Sequence, residues 1–137
     1  MGDLQGHEFR GNQWSAQGAV SPRDAVARVQ SMPSGVFGRA SFPVPFPVDS
    51  AAAQTLGDVG PPKIEDVPIH TLVATQSDVS RSGVMHKLAS EVDRKEPIDV
   101  VRRGGKNYIW DGHHRAVASA ALGERTIRAS VLEGKRK

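Results

Sequence analysis

Asp111-Gly112-His113-His114-Arg115 puts a carboxylate, two imidazoles and a guanidinium around one glycine. A strand-like run, Asn107-Tyr108-Ile109-Trp110, precedes it, and an alanine-rich segment, Ala116-Val117-Ala118-Ser119-Ala120-Ala121-Leu122, follows it and closes on Gly123. Strand, glycine turn and helix start set these side chains beside backbone N–H groups. The first N–H groups of a helix have no partner within it, and the macrodipole adds partial positive charge there. That combination holds phosphate or another small anion.

Each side chain has a chemical and a structural reading. Asp111 can bind a divalent ion, take a proton or cap the helix that follows. His113 and His114 point about 100° apart on a helix, so one faces a ligand while the other packs or meets solvent. Imidazole suits proton transfer because it titrates near neutrality. Arg115, in the first helical turn, can fork onto two phosphate oxygens; its structural alternative is a salt bridge to Glu91 or Asp99. Trp110 can stack a ring or pack at a rim. No metal site is expected on the protein's own side chains. The sequence lacks cysteine, and His70 and His86 do not stand at zinc-like spacing. Gly104-Gly105 lacks the surroundings of a Walker loop and reads as a hairpin turn. The hairpin's Arg102, Arg103 and Lys106 could touch a nucleic-acid backbone.

The elements that must position this site follow from periodicity. Val84, Met85, Leu88, Ala89 and Val92 recur at helical steps, with Glu91 close to Lys87 and Arg94 on the charged face, and Pro97 stops the helix. Ile98-Asp99-Val100-Val101 and Asn107 to Trp110 read as two strands of a hairpin, and Thr126 to Leu132 as a last strand. Residues 61–137 are therefore expected to form a small α+β domain with two main helices, and the resemblance given below implies that its sheet is mixed. Pro61-Pro62 marks its start.

Residues 1–60 are expected as an extended arm or leader. Phe42-Pro43-Val44-Pro45-Phe46-Pro47 alternates proline with apolar residues, which bars it from a sheet interior. One short helix is expected: Ser21 caps, Pro22 fits the first position, and Ala25, Val26 and Val29 make its stripe up to Met32-Pro33.

A chain of 137 residues suggests one domain. No apolar run approaches the roughly 20 residues that cross a bilayer, and no secretory signal opens the sequence. With no cysteine, a cytoplasmic protein is the expectation. Residues 1–60 carry four basic and five acidic residues, whereas 61–137 carry 14 and 10, with a basic run at Lys135-Arg136-Lys137. Such a tail is solvated or attracts polyanions.

Residues 67–132 resemble the ParB/sulfiredoxin-like superfamily, often labelled the ParB-like nuclease domain. The resemblance rests on Val67-Pro68-Ile69-His70-Thr71-Leu72-Val73-Ala74-Thr75-Gln76, on Ile98 to Val101, and on Tyr108 through Ala118 with Leu122-Gly123. It implies that Gly112, His114, Arg115 and Gln76 bind a nucleotide phosphate, such as that of ATP, ADP or CTP with Mg²⁺. If the domain is an enzyme, phosphoryl transfer or phosphodiester hydrolysis is the expected reaction, with His113 as the catalytic proton shuttle and Asp111 orienting it or holding Mg²⁺. Sulfiredoxins place a cysteine where His113 stands, so their chemistry does not carry over, and neither does the helix-turn-helix of partition proteins. Free-serine kinases of the superfamily need an acidic base near the first motif, for which Asp78 is the nearest residue. His7-Glu8-Phe9-Arg10-Gly11-Asn12-Gln13-Trp14 resembles a segment of tailed-phage proteins. That implies a phage-encoded chain, in the host cytoplasm or a virion, whose residues 1–60 could meet a second copy or particle proteins. The alternative functions are a structural protein of a virion and a non-specific DNA-binding protein.

Overall fold

The structure, a computed structural model, describes residues 11–36, 38–52 and 61–134. His7 to Arg10 and the basic run Lys135-Arg136-Lys137 lie outside the described residues. In chain order come helices α1 (Gly11–Ala16) and α2 (Pro22–Gln30), then strands β1 (Ser41–Pro43) and β2 (Lys63–Pro68). A 3-10 turn (Ile69–Thr71) leads into β3 (Leu72–Val73), β4 (Asp78–Ser80), α3 (Arg81–Ala89) and α4 (Glu91–Lys95). The hairpin β5 (Ile98–Arg103) and β6 (Lys106–Asp111), helix α5 (His113–Ala121) and β7 (Thr126–Glu133) complete it.

The main sheet has the order β2-β7-β5-β6-β3. It is mixed: β2–β7 and β5–β6 are antiparallel, whereas β5–β7 and β3–β6 are parallel. The hairpin turns on Gly104 and Gly105, both at positive φ (62° and 78°), as a two-residue turn matched to strand twist requires. Helix α5 carries the chain from β6 to β7, which returns parallel to β5. This is the α+β class expected from the sequence.

Every residue of α5 from Arg115 to Ala121 is buried, because α1, α2 and α3 all pack against it. A helix surrounded on so many sides needs small side chains, which explains the alanines.

Helix α2 forms as the sequence predicts, with Ser21 Oγ accepting from the Asp24 N–H at 3.2 Å and Pro22 in the first turn. The segment expected as an extended arm contains α1 as well. Trp14, Val29, Phe42, Val44 and Phe46 belong to the same hydrophobic cluster as Leu88, Ile98 and Val117. The prolines keep residues 42–47 out of the main sheet but not out of the core. Only Ser41–Pro43 is a strand, paired with β4 in a separate two-stranded ribbon.

Arg81, at the start of α3, ties this segment down. Its Nε donates to Arg39 O (2.7 Å), Nη1 to Val29 O (2.7 Å) and Nη2 to Met32 O (2.6 Å). Its guanidinium also lies 5.2 Å from the Phe42 ring centroid. A lysine has no planar fork to reach three carbonyls. Arg81→Lys should therefore cost about 2 kcal/mol in urea unfolding, and equal midpoints for the two proteins would refute the clamp.

The long helix expected through Val92 is instead two helices. Ser90 ends α3 and caps α4, accepting from the Asp93 N–H at 3.1 Å. The break turns Val92 outward, to 71% exposure. It also changes the contacts of the charged face: Glu91 pairs with Lys95 (3.8 Å), and His86 Nε2 lies 3.6 Å from Asp93 Oδ2. Among the described residues no helix is long and apolar enough to cross a membrane.

Candidate functional site: a cleft at the start of α5

Gly112 is the N-cap of α5 at φ 104°, ψ 28°, and no side chain caps the helix. Capping by Asp111 is thus corrected: Asp111 ends β6, exposed, in register with Asp99 on β5. The glycine has two local causes. Its backbone lies in the left-handed region, and a Cβ there would stand 2.7 Å from Ile98 Cγ2. Close approach to a ligand is not needed to explain it.

A cleft of about 340 Å³ opens at this helix start, with His114, Arg115, Lys87, Trp110 and Asp111 on its wall. The exposed Gln76 also reaches it, while its Nε2 donates to Asp78 O at 2.7 Å. Arg115 is only 6% exposed, with Nη1 3.5 Å from Ser119 Oγ one turn along the helix. Asp93, Glu96, Asp99 and Asp111 bring four carboxylates to the lining, against the two fixed cations Lys87 and Arg115.

The two imidazoles part company as the helical geometry predicts. His113 is 5% exposed, and its Nε2 accepts the Thr75 N–H at 3.0 Å. Thr75 in turn donates its hydroxyl to Ile109 O at 2.7 Å, which fixes the loop after β3 against β6. Burial, helped by the neighbouring His114 and opposed by Asp111, pushes the His113 pKa down to about 4. At neutral pH it is an uncharged ring whose Nε2 lone pair is engaged. The residue expected to shuttle a proton thus holds the Thr75 loop with its Nε2 in this structure.

His114 is half-buried, with Nε2 3.2 Å from Ser80 Oγ, the hydroxyl that also accepts from Gly83 N–H and caps α3. Gly83 lets the ring lie there, since a Cβ would come within 2.4 Å of it. Burial first and the Lys87 charge second lower the His114 pKa.

Two further expectations change. Asp78 is buried and accepts from Val36 N–H (2.6 Å) and Ser41 Oγ (3.3 Å), so its carboxylate anchors the 35–41 loop instead of serving the cleft as a base. Arg102, expected at a nucleic-acid contact, is held by Glu65 (2.8 Å), Glu133 (3.2 Å) and Asn107 Oδ1 (3.0 Å). Arg103 lies over the Tyr108 ring, 5.6 Å from its centroid, and Lys106 is exposed on the turn. That turn sits at the opposite end of β6 from Gly112, about 17 Å along a strand.

Sequence reasoning missed Lys87, Asp93 and Glu96 as cleft residues. Asp93 and Glu96 belong to the segment that begins where α3 breaks at Ser90, and Ser90 with Asp93 three residues on was the legible signal; Lys87 reaches the cleft from α3 itself. Among the described residues no group of three or more His, Asp or Glu could hold a metal ion.

No family model and no curated protein matches this chain. Among solved structures it matches the crystal structure of sulfiredoxin from Arabidopsis thaliana, with a TM-score of 0.47 and 29% identity. The chain is similar to that sulfiredoxin. The match covers 53% of this chain and 88% of the sulfiredoxin.

Proposed function

We propose that the cleft binds a nucleotide through its phosphates, as a member of the ParB/sulfiredoxin-like superfamily would. The observation that carries this reading is the cleft in front of an uncapped helix start, with His114, Arg115 and Lys87 on its wall. Backbone N–H groups, the helix dipole and two cations converge on one space. Four carboxylates on the same lining would repel a bare polyphosphate, so the nucleotide enters as its Mg²⁺ complex. Asp99, the cross-strand partner of Asp111 at the cleft, would hold that ion, consistent with Mg²⁺ sites that use one or two carboxylates plus substrate phosphates. The ion supplies charge neutralisation at the phosphate oxygens.

His114 presents a neutral imidazole that hydrogen-bonds phosphate. Asp111, exposed at the cleft, is the group that can take a proton from an acceptor, while His113 keeps the Thr75 loop in place. The reaction class this arrangement serves is phosphoryl transfer or phosphodiester hydrolysis.

Thermal denaturation with Mg-ATP, Mg-ADP and Mg-CTP tests the binding. A ligand at a hundredfold its Kd adds about 2.7 kcal/mol, on the order of 10 °C for a domain of this size. Lys87→Ala should weaken binding roughly tenfold, the worth of one charged hydrogen bond, and EDTA should abolish the shift. Unchanged melting with all three nucleotides would overturn the reading.

A further inference from the structure

Trp110 is 50% exposed, whereas the other tryptophan, Trp14, is 4% exposed. Burial of a large aromatic is among the strongest stabilising terms open to a small domain, and Trp110 forgoes half of it. The backbone puts it there. Asp99 pairs with Asp111 but Val100 pairs with Ile109, so the register shifts and Trp110 has no partner on β5. It is the extra residue of a β-bulge, the irregularity that re-aims a side chain beside a site. Without the bulge, Trp110 and Asp111 would fall on opposite faces of the sheet; with it, both are exposed and both line the cleft.

We propose that Trp110 is the platform on which the base of the nucleotide stacks. The inference rests on the phosphate reading above and adds a substrate class to it: a mononucleotide whose ring system is gripped by its face. Three residues separate Trp110 from His113, a reach of at most about 10 Å, comparable with the span from a nucleobase to its phosphates. The cleft, about 340 Å³, is mononucleotide-sized, at the small end of ligand pockets. Stacking tolerates any base because every base has a π-face. The platform therefore selects nucleotides over other phosphates, and purines over pyrimidines by ring area.

The experiment compares Mg-ATP with Mg-tripolyphosphate on the full chain, by calorimetry and by tryptophan fluorescence. Trp14 is buried away from the cleft, so quenching reports Trp110. Mg-ATP should bind about tenfold more tightly than Mg-tripolyphosphate, within the range that ring stacking contributes, and should alone quench the emission. Trp110→Phe should keep most of that preference, and Trp110→Leu should erase it while leaving tripolyphosphate affinity and melting temperature unchanged. Equal affinity for the two ligands, or unquenched emission at saturating Mg-ATP, overturns the platform and leaves the phosphate site standing. Binding of neither ligand removes the phosphate site and the platform together.

Discussion

Replacing Gly112 by alanine is expected to destabilise the domain by about 2–5 kcal/mol, a large part of the 5–15 kcal/mol typical of a folded domain. Two costs combine. An L-residue in the left-handed region costs about 1–2 kcal/mol, and Gly112 sits at φ 104°. Its new Cβ would lie 2.7 Å from Ile98 Cγ2, 2.9 Å from Ile98 Cβ and 3.3 Å from Ile98 Cα. Ile98 is buried and cannot swing aside, so overpacking adds roughly 1–3 kcal/mol. Gly105 provides the control. It too has positive φ (78°), but a Cβ there meets open space, so Gly105→Ala should cost only about 1–2 kcal/mol. Urea midpoints at unchanged slope would measure both. Equal losses would show that Ile98 does not enforce the glycine. Nucleotide binding should fall with Gly112→Ala even below its melting temperature, because the helix start and the wall of the cleft share that residue.

Acidification should remove about 3 kcal/mol between pH 6.5 and 4, through His113 alone. Its pKa falls from 6.5 in the unfolded chain to about 4 in the folded protein, and each pKa unit is worth about 1.4 kcal/mol. Within that window the unfolded chain takes up a proton that the folded ring refuses, so stability falls as pH falls. Above pH 6.5 the ring is neutral in both states and the contribution is fully present. Glu65 acts in the same direction at lower pH. The hydrogen bond and charge of Arg102 hold its pKa below the usual carboxylate value, and its share is lost only as that carboxylate protonates. His113→Gln separates the two, since an amide oxygen can accept the Thr75 N–H without ever titrating. By urea unfolding at each pH, the glutamine protein should lose clearly less stability from pH 6.5 to 4.5, keeping only the share of His114, whose pKa is also lowered. Parallel pH profiles for the two proteins would show that His113 is not the titrating group.

What could be read in the sequence was local. Ser21-Pro22 with Asp24 gave the start of α2, Gly104-Gly105 the hairpin, and Gly112 and Gly123 the two ends of α5. Each signal lies within a few residues of the bond or dihedral it specifies. The site's location was legible for the same reason, since strand, glycine and helix start are contiguous. Roles that depend on distant partners were not. Arg102 looked available on a hairpin because Glu65 and Glu133 are 37 and 31 residues away. Asp78 looked like a base because the loop it holds is 37–42 residues upstream. Periodicity predicted that the two histidines diverge, but only the Thr75 contact shows which one turns inward. Val92 matched the helical spacing, and the cap at Ser90 overrode it. The N-terminal segment misled for a related reason: alternating prolines report what the backbone cannot pair with, and say nothing about whether Phe42, Val44 and Phe46 are covered.

The shared cluster of Trp14, Val29 and Phe42 with Leu88 and Val117 has a consequence during synthesis. The chain emerges in order, so these greasy side chains are made well before the residues that will shield them. Until α3 and α5 exist, they are bare to solvent and to other nascent chains. Contacts so far apart in sequence also slow folding once synthesis is complete. Production at low temperature or with a chaperone should therefore raise the soluble yield more than a change of buffer afterwards.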